Sequence, residues 1–427
     1  MSKHIETKCV QEGWEPKAGE PRVVPIYQST TFKYDTAAQL GDLFDLKAAG
    51  HFYTRLSNPT LEAVEKKIAA LEGGVAAMVT SSGQAASLVS VLVLCKAGDH
   101  AVCSSAIYGG TYNLFSSTMS RMGIEFTFVP PDADEATLRG AVKENTKLIF
   151  GESLSNPTLD VLDIEMYAKV AHENNLPLLV DNTFPTPVNC RPFEFGADIV
   201  IHSTSKYMDG HAVSLGGAIV DSGNFNFAEY PEKYPMLCEP EPSYHGTNFT
   251  EAFGKLAYIL LARAKYMRDL GVQMSPQNGF LLSMGLETLA LRMERHCHNA
   301  RLIAEYLSGH DKIEWVIFPG LESSPQYERA KKYMPGGTSG VISFCVKGGR
   351  ENAGIFMESL RLACIATHVA DLRTCLLHPA STTHRQLSDE QLAGAGIDPG
   401  LIRFSVGIEH AEDIIEDIGQ ALEKIKI

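Results

Sequence analysis

The sequence contains no apolar run that is long enough to span a lipid bilayer. The longest run, Ala85–Cys95, has eleven residues and includes Ser87 and Ser90, whereas a transmembrane helix needs about 20 apolar residues. The first residues, MSKHIETKCVQEGWEP, are polar and lack the apolar core of a secretory signal. Positive charge is also scarce, because 37 Lys and Arg stand against 51 Asp and Glu, a net charge of −14. We therefore expect no membrane span, no membrane partner and no nucleic-acid partner.

Several common kinds of site also lack support in the sequence. The nine cysteines are odd in number and form no CxxC pair, which argues against a disulfide framework or a structural zinc site and favours a reducing cytoplasm. His378 and His384 are six residues apart and have no third ligand at metal-site spacing, so we expect no metal. The Walker A, GxGxxG, HExxH and GxSxG patterns are absent, and the enzyme classes that use them lose their sequence evidence.

What the chain does have is a regular succession of short, β-rich apolar runs. Most of these runs start more than 20 residues after the previous one, which leaves room for a crossover helix and predicts parallel strands. Only about a dozen residues separate Ile201 from Leu215, so the last strand is predicted to be antiparallel. The pattern indicates an α/β protein with a seven-stranded, mostly parallel sheet that is covered on both faces. The predicted strands are Val75–Thr80, His100–Cys103, Ile124–Val129, Lys147–Phe150, Leu176–Val180, Ala197–Ile201 and Leu215–Val220.

The 427-residue chain is predicted to have three parts. Residues 1–62 are interrupted by prolines and glycines and form an arm, residues 63–265 hold the sheet, and residues 266–427 form a smaller α+β domain. The proline-rich stretch Asp221–Asn248 is either a surface connection or a loop that borders a site. The predicted helices are Ala85–Leu94, Ile164–Glu173, Glu251–Asp269, Gly285–Ser308, Glu351–Leu362 and Glu412–Ile425, and the strands of the smaller domain are Ile313–Phe318, Gly340–Val346 and Leu401–Val406.

Candidate functional residues follow the strands, because ligands of open α/β sheets bind beyond the carboxyl ends of the strands. Ser82, Gly83 and Gln84 lie between a strand and a helix and suit a phosphate, although an ordinary helix N-cap is the preferred interpretation of this motif alone. Asp181 directly follows an apolar strand and needs a cation or several donors, or else it is a helix N-cap or part of a structural salt bridge. Lys206 follows another strand end and is either paired, desolvated or extended to solvent.

These three features are more specific together than each is alone. A phosphate cradle, a carboxylate and a lysine at one edge of a sheet suit a cofactor with a phosphate, a basic ring nitrogen and an aldehyde. Pyridoxal 5′-phosphate has all three groups: a lysine forms a Schiff base with it, and an acid pairs with its pyridinium nitrogen. Tyr108, which comes after the strand His100–Cys103, offers a ring for stacking on the cofactor, although it can equally be a packed core tyrosine.

A set of longer motifs is found along the chain: YTRLSNPT, LEGG, SSGQAA, YGGTYN, ESLSNPT, VDNTF, HSTSKYMDGH and HPASTTH. With these motifs the sequence resembles the Cys/Met-metabolism family of pyridoxal-phosphate enzymes. The resemblance extends from PIYQSTTF near Pro25 to LIRFSVGIE at Leu401, which is nearly the whole chain. It implies the fold type I of pyridoxal-phosphate enzymes and a homotetramer built from two tight dimers. It also implies a cytoplasmic transferase of methionine biosynthesis.

The resemblance implies a role for each matching residue. Lys206 is the Schiff-base lysine, Asp181 is the partner of the pyridinium nitrogen, and Arg403 holds the substrate carboxylate. Tyr53 and Arg55, in the arm, reach the cofactor phosphate of the neighbouring subunit. The other implied contacts are Gly83 and Gln84 with Ser203 and Ser205 at the phosphate, Tyr108 as the stacking and catalytic ring, Asn156 beside the phenolic oxygen, and Thr183 near the cofactor ring.

Within this family the sequence is most similar to the O-acetylhomoserine sulfhydrylases. Gly110 stands where methionine γ-lyases usually have a cysteine, and Asp221–Asn248 resembles the longer loop of the sulfhydrylases. We therefore expect an enzyme that replaces the acetate of O-acetyl-L-homoserine by sulfide or a thiol, which gives homocysteine or methionine. Methionine γ-lyase and cystathionine γ-synthase are the alternatives within the family, and a non-catalytic scaffold is the alternative outside it.

The chain departs from the pattern of the sulfhydrylases at two places. Many of them have an Asn-x-Gly-Asp stretch before the HPAS segment, where this chain has His368, Val369, Ala370 and Asp371. That region borders the substrate, so the contacts to the substrate carboxylate beyond Arg403 stay open. The other departure is Ser205, which stands where threonine is common and keeps the hydroxyl.

Overall fold

A computed structural model describes residues 3–382 and 398–426. Its larger sheet has seven strands in the order β1-β7-β6-β5-β4-β2-β3. Strands β2 to β6 are mutually parallel, and β7 runs antiparallel to both of its neighbours, as predicted from the short connection before it. The strands are β1 Ala76–Thr80, β2 His100–Ser104, β3 Glu125–Val129, β4 Thr146–Glu152, β5 Leu178–Asp181, β6 Ile199–His202 and β7 Gly217–Asp221.

Helices cover both faces of this sheet, which explains why its central strands β5, β6 and β7 are mostly apolar. The helix Pro59–Glu72 packs on one face through Leu61, Val64 and Ile68. The helix Gly83–Leu92 packs on the other face through Ala86 and Val89. The remaining α-helices of the first 270 residues are Ile5–Gln11, Ala37–Phe44, Gly109–Asn113, Glu135–Gly140, Ile164–Glu173, Thr186–Asn189, Pro235–Cys238, Phe249–Phe253, Ala257–Leu261 and Arg268–Leu270.

A smaller sheet of five strands has the order β10-β11-β12-β9-β8 and supports the predicted α+β organisation. Its apolar face packs against three helices of the same part of the chain, which together enclose a separate core. The strands are β8 Ile313–Ile317, β9 Val341–Val346, β10 Cys364–Ile365, β11 Cys375–Leu377 and β12 Leu401–Ser405. The α-helices of the described residues after 270 are Pro276–Glu287, Leu289–Ser308, Tyr327–Tyr333, Gly349–Ser359 and Ala411–Leu422.

Three sequence predictions differ from the observed elements. The predicted helix Glu251–Asp269 is a series of short helical segments, because Gly254 turns the backbone with φ 53° and ψ −120°. The predicted helix Gly285–Ser308 is two helices that meet at Thr288. The arm contains the helices Ile5–Gln11 and Ala37–Phe44, which were not predicted because prolines and glycines interrupt this part of the sequence. The division at residues 62 and 265 stays a prediction.

Among the described residues, no helix combines the length and the apolar character that a membrane crossing requires. All nine cysteines lie within the described part of the chain, and all are free thiols.

Candidate active site

Lys206 lies in a tight turn at the carboxyl end of β6. The turn is held by a hydrogen bond from the backbone N–H of Lys206 to Ser203 O (3.2 Å) and by one from the N–H of Gly210 to Lys206 O (2.7 Å). Burial, with a smaller effect of the Arg403 cation, lowers the pKa of the Lys206 amine to about 8. A lysine with this pKa is partly neutral near physiological pH, which is the state that forms a Schiff base.

Asp181 ends the neighbouring strand β5, and its carboxylate has two donors from one residue. The Thr183 hydroxyl donates to Asp181 Oδ1 (2.5 Å), and the Thr183 N–H donates to the same oxygen (3.0 Å). The N–H of Ser203 in turn donates to Thr183 Oγ1 (2.9 Å), which ties Asp181 to the turn that carries Lys206. Burial still raises the pKa of Asp181, so a cation beside it would stabilise its ionised form.

The predicted phosphate cradle lies directly against the Lys206 turn. A Cβ on Gly83 would be 2.6 Å from the Cβ of Ser203, so only glycine lets the start of the helix Gly83–Leu92 come this close. Gln84 Oε1 and Thr204 Oγ1 are buried and have no hydrogen-bond partner among the described residues. The Ser205 hydroxyl donates to Gly216 O (3.1 Å) and accepts from Gly216 N–H (2.9 Å). In this arrangement the Ser205 proton is not directed to a phosphate, and that implied contact stays a prediction.

Tyr108 lies next to this cradle. A Cβ on Gly110 would be 2.5 Å from Tyr108 Cε1 and 2.7 Å from Gln84 Nε2, so both side chains meet at Gly110. The Tyr108 residue is 49% exposed, which does not fit the alternative of a packed core tyrosine. Its ring is therefore available to stack on a ligand held at the sheet edge.

Arg403 approaches Lys206 from the smaller sheet. It lies on β12 and is only 6% exposed. Its Nη2 donates to His368 O (3.0 Å), whereas its Nε is buried without a hydrogen-bond partner in the described chain. A buried guanidinium with a free donor is suited to a carboxylate ligand. Asn156 precedes Pro157, whose carbonyl oxygen accepts from the hydroxyl of Ser343, the residue that pairs with Arg403 in the sheet.

Tyr53 and Arg55 are the predicted residues that the single chain does not bring to this site. The Arg55 guanidinium lies over the Tyr53 ring at 5.1 Å from its centre. No hydrogen bond or ion pair between described residues joins either side chain to Lys206 or Asp181. A role in a neighbouring subunit's site stays a prediction.

Two buried acidic residues of this region were missed in the sequence. Glu152, at the end of β4, pairs with Asp181 in the sheet and accepts a hydrogen bond from Tyr108 N–H (2.6 Å). Burial and the neighbouring Asp181 raise the pKa of Glu152 well above its usual range. Glu72 Oε1 lies 2.6 Å from His202 Nε2, and neither side chain is exposed. Glu152 follows the apolar run LIF after one glycine, Gly151, and this was a usable signal, since Asp181 directly follows the apolar run LLV.

The sequence predicts no metal site, and the histidine pair that was weighed as a possible one is His378 and His384. Both ring nitrogens of His378 have hydrogen-bond partners, Ser381 Oγ at 2.8 Å and Pro399 O at 2.7 Å. His384 lies outside the described residues. Within residues 3–382 and 398–426, no group of three His, Cys, Asp or Glu side chains is arranged to hold a metal ion.

The site has the chemical groups that pyridoxal phosphate requires. It offers a lysine of lowered pKa, a buried acid that needs a cation, a glycine cradle at a helix N-terminus and unpaired buried donors and acceptors. This combination defines a pyridoxal-phosphate-dependent enzyme.

Comparison with known proteins identifies the family. Residues 6–423 match the model of the Cys/Met metabolism PLP-dependent enzyme family, and the chain belongs to that family. It is 46% identical over 424 residues to homocysteine synthase of Schizosaccharomyces pombe, with 99% of each chain covered. It is 44% identical over 430 residues to O-acetyl-L-homoserine sulfhydrylase of Leptospira meyeri, with 98% of this chain and 97% of the other covered.

A solved structure from Campylobacter jejuni has the same fold. It is a provisionally assigned O-acetylhomoserine (thiol)-lyase that contains N′-pyridoxyl-lysine-5′-monophosphate, and it matches with a TM-score of 0.95 and 37% identity over 99% of this chain and 100% of that chain. The predicted fold type I, enzyme class and cofactor are therefore confirmed.

Proposed function

We propose that this chain catalyses γ-replacement on O-acetyl-L-homoserine, in which sulfide displaces acetate and homocysteine is formed. The observation that carries the proposal is the buried Arg403 guanidinium, with an unpaired Nε, whose charge acts on Lys206. It supports an amino-acid substrate whose carboxylate is bound while its α-carbon faces the lysine. The relatives from S. pombe and L. meyeri are a homocysteine synthase and an O-acetyl-L-homoserine sulfhydrylase.

In this reaction Lys206 transfers protons and Arg403 binds the substrate carboxylate. Bound pyridoxal phosphate supplies an electron sink for the charge that develops at the α-carbon. The neutral Lys206 amine takes the α-proton, and the same group returns protons later, because its pKa of about 8 allows both states near neutral pH. Acetate leaves from the γ-carbon, and sulfide or a small thiol forms the new carbon–sulfur bond there. Arg403 keeps the carboxylate fixed throughout.

The geometry at Gly110 supports replacement over methionine γ-elimination. A cysteine there, as in most methionine γ-lyases, would require Tyr108 and Gln84 to move, because a Cβ would lie within 2.7 Å of both side chains. The distinguishing experiment assays the protein with O-acetyl-L-homoserine plus sulfide and, separately, with methionine alone. We expect homocysteine formation to be the faster reaction. Faster release of α-ketobutyrate from methionine would overturn the proposal.

Replacement of the lysine tests its role directly. Lys206→Ala should lose the visible absorbance of lysine-bound cofactor and at least a thousandfold in turnover. Lys255→Ala is the matched control, because Lys255 belongs to the short helical turn Gly254–Leu256 and not to this site. A Lys206→Ala protein that keeps both the absorbance and the turnover would contradict the assignment.

The arm supports a shared site in a homotetramer of two tight dimers. We propose that Tyr53 and Arg55 bind the cofactor phosphate in the partner subunit, because both residues are exposed, Tyr53 at an isolated β-bridge and Arg55 in the turn that follows it. Co-expression of a Lys206→Ala chain with an Arg55→Ala chain tests this. Hybrid dimers would contain one intact site, so random pairing should restore about a quarter of wild-type activity. If the arm served its own chain, mixing would restore none.

The cytoplasmic location is also a proposal. It is supported by the nine free thiols, of which seven are buried, since a reducing compartment preserves such a set.

A further inference from the structure

The turn that carries Lys206 is held from two sides. On one side, Leu372 N–H donates to Gly210 O (2.9 Å) from the segment 366–374, which joins the short strands β10 and β11. On the other side lies Arg292, a buried residue that is 5% exposed. The chemistry described so far gives Arg292 no role, although it adjoins the two residues that follow the lysine.

The Arg292 guanidinium donates to backbone carbonyls of this turn. Its Nη1 donates to Tyr207 O (2.6 Å), and its Nη2 donates to Met208 O (3.3 Å) and to Gly285 O (2.5 Å). Arg292 itself lies on the helix Leu289–Ser308, and Gly285 belongs to the helix before it. One planar group with a fixed arrangement of donors therefore connects the turn to two helices.

The packing around the guanidinium leaves little room for the turn to move. A Cβ on Gly210 would overlap with Arg292 Nη1, and a Cβ on Gly285 would be 2.6 Å from Met208 O. Gly210 also has φ of 70°, a conformation that favours glycine. The two glycines thus permit a close contact between turn, guanidinium and helix that a larger side chain at either position would open.

The side chain of Tyr207 is held by the same helix as its carbonyl. The Tyr207 ring meets the His296 ring edge-on at 4.9 Å between the ring centres, and His296 lies about one helical turn after Arg292. The Tyr207 hydroxyl accepts from Gly340 N–H (2.9 Å). The residue directly after the lysine is therefore fixed at both its backbone and its ring.

Arg292 is a costly residue to bury. It forms no ion pair with a carboxylate of the described residues, and its remaining donor, Nε, bonds to Thr288 Oγ1 (3.2 Å). Burial lowers the pKa of Arg292 to about 10, and the Asp209 charge acts in the opposite direction, so the group stays a cation near neutral pH. A methionine of similar length would avoid the cost of a buried charge. The contacts of the guanidinium with the turn therefore account best for an arginine at this place.

We propose that Arg292 is a positioning residue, which holds the backbone after Lys206 so that the lysine amine faces the substrate α-carbon. The arginine whose charge lowers the pKa of Lys206 is Arg403, so the effect of Arg292 is one of geometry. The inference rests on the proposed function only in assigning the α-proton to Lys206, because neither acetate nor sulfide takes part in that step.

The test separates ligand binding from proton transfer in the holoenzyme. L-norvaline has the α-amino and α-carboxylate groups of the substrate but no leaving group at the γ-carbon. Its dissociation constant is measured from the visible absorbance of the cofactor, and the transfer of its α-proton is measured by NMR as exchange for deuterium in D₂O. Arg292→Met should leave the dissociation constant within about threefold of wild type and slow the exchange about ten- to a hundredfold, the loss expected when a catalytic group is displaced by about 1 Å.

Two further variants show whether the effect is specific. Arg292→Lys retains the charge but not the planar guanidinium, so the exchange should be slower than in wild type and faster than in Arg292→Met. Lys312→Met is the matched control, because Lys312 Nζ also donates to two backbone carbonyls, Leu422 O and Ile425 O (both 3.0 Å), in the smaller domain. It should change neither measurement by more than about twofold.

The outcomes that contradict the proposal are distinct from one another. Exchange at the wild-type rate in Arg292→Met would show that the turn keeps its place without the guanidinium. An equal loss of binding and exchange would make Arg292 purely structural, and an equal slowing in Lys312→Met would show a general loss of stability. Each of these results overturns the proposal, and the same criteria apply to Arg292→Lys if Arg292→Met does not fold. Failure of the sulfide reaction with normal exchange on L-norvaline would overturn only the proposed function.

Discussion

The backbone N–H of Tyr108 donates a 2.6 Å hydrogen bond to Glu152 Oε2, and this bond connects the exposed stacking ring to the carboxyl group beside Asp181. Glu152 and Asp181 are paired residues on adjacent parallel strands. Asp181 has two donors from Thr183, whereas Glu152 has the single donor from Tyr108. The pair therefore holds its negative charge on Asp181, and Glu152 is the neutral acid.

A neutral Glu152 predicts that glutamine can replace it. In Glu152→Gln the amide oxygen still accepts from Tyr108 N–H, so the dissociation constant of pyridoxal phosphate should stay within about threefold of wild type. Glu152→Leu leaves that N–H without a partner, which costs about 1–3 kcal/mol and should weaken the cofactor about ten- to a hundredfold. Fluorescence titration of the apoprotein measures both constants. If glutamine weakens binding as much as leucine, the carboxyl is required in its ionised form.

The pKa of Lys206 predicts a pH profile for cofactor uptake. Only the neutral amine attacks the aldehyde, and burial together with the Arg403 cation lowers this pKa from 10.5 to about 8. The neutral fraction at pH 7.5 is then roughly a quarter, against about a thousandth for an ordinary lysine. The rate at which apoprotein acquires its visible absorbance should therefore rise with pH and level off above about pH 8.

Arg403→Met is the companion variant for this profile. It removes one positive charge that acts on Lys206, so the pKa of the amine and the midpoint of the profile should both move up. Burial is the larger cause of the shift, so the midpoint should stay below the value of an exposed lysine. A midpoint that moves down in Arg403→Met would contradict the electrostatic argument.

The buried contact between Glu72 and His202 predicts a stability effect at a distance from the substrate. Glu72 Oε1 also accepts from Asn182 Nδ2 (3.1 Å), and Asn182 follows Asp181. Glu72→Ala leaves His202 Nε2 without its buried partner and removes one of the two acceptors of Asn182 Nδ2, the other being Cys190 O. It should lower the free energy of unfolding by about 3 kcal/mol. The urea midpoint at a fixed protein concentration measures the change.

An exposed pair in the same chain is the control for that variant. Arg301 Nη1 lies 2.9 Å from Glu305 Oε1 on a helix surface, with both side chains about half exposed. Glu305→Ala should change the free energy of unfolding by no more than about 0.5 kcal/mol. Equal effects of the two variants would show that the Glu72 contact contributes no more than a surface ion pair.

The left-handed conformation of Ala370 predicts a stabilising glycine. Ala370→Gly should raise the free energy of unfolding by about 1 kcal/mol, because glycine has no Cβ to strain at φ 68°. Ala38→Gly, in the exposed helix Ala37–Phe44, should lower it by about 0.5–1 kcal/mol. Chemical denaturation of both proteins checks the opposite signs, and a loss in both would mean that the loop does not hold Ala370 in this conformation.

The strands of the large sheet and the functional residues beyond their carboxyl ends could be predicted, because the apolar runs and the lengths of the connections between them indicate the same topology. The apolar run before Asp181 ends directly in that carboxylate, and the run Ala197–Ile201 is followed within five residues by Lys206. Parallel topology brings such strand ends together. The antiparallel β7 followed from the short connection after Ile201. The helix Ile164–Glu173 was predicted with its observed bounds, because Asp163 caps it and its apolar residues recur at helical spacing.

The residues that were missed depend on partners far away in the chain. Glu72 and His202 are 130 positions apart, and nothing in their local sequence indicates the contact. The predicted strand ends at Phe150, two residues short of Glu152, so it does not include this acid. The contacts of Arg292 also have no sequence signature, since Tyr207 and Met208, whose carbonyls it binds, lie 85 and 84 positions away.

The hydrogen bond from Leu372 N–H to Gly210 O (2.9 Å) couples two parts of the fold. The segment 366–374 belongs to the smaller sheet, and Gly210 closes the turn that carries Lys206. A substitution that displaces this segment should therefore also shift the lysine amine, although the two lie far apart in the sequence.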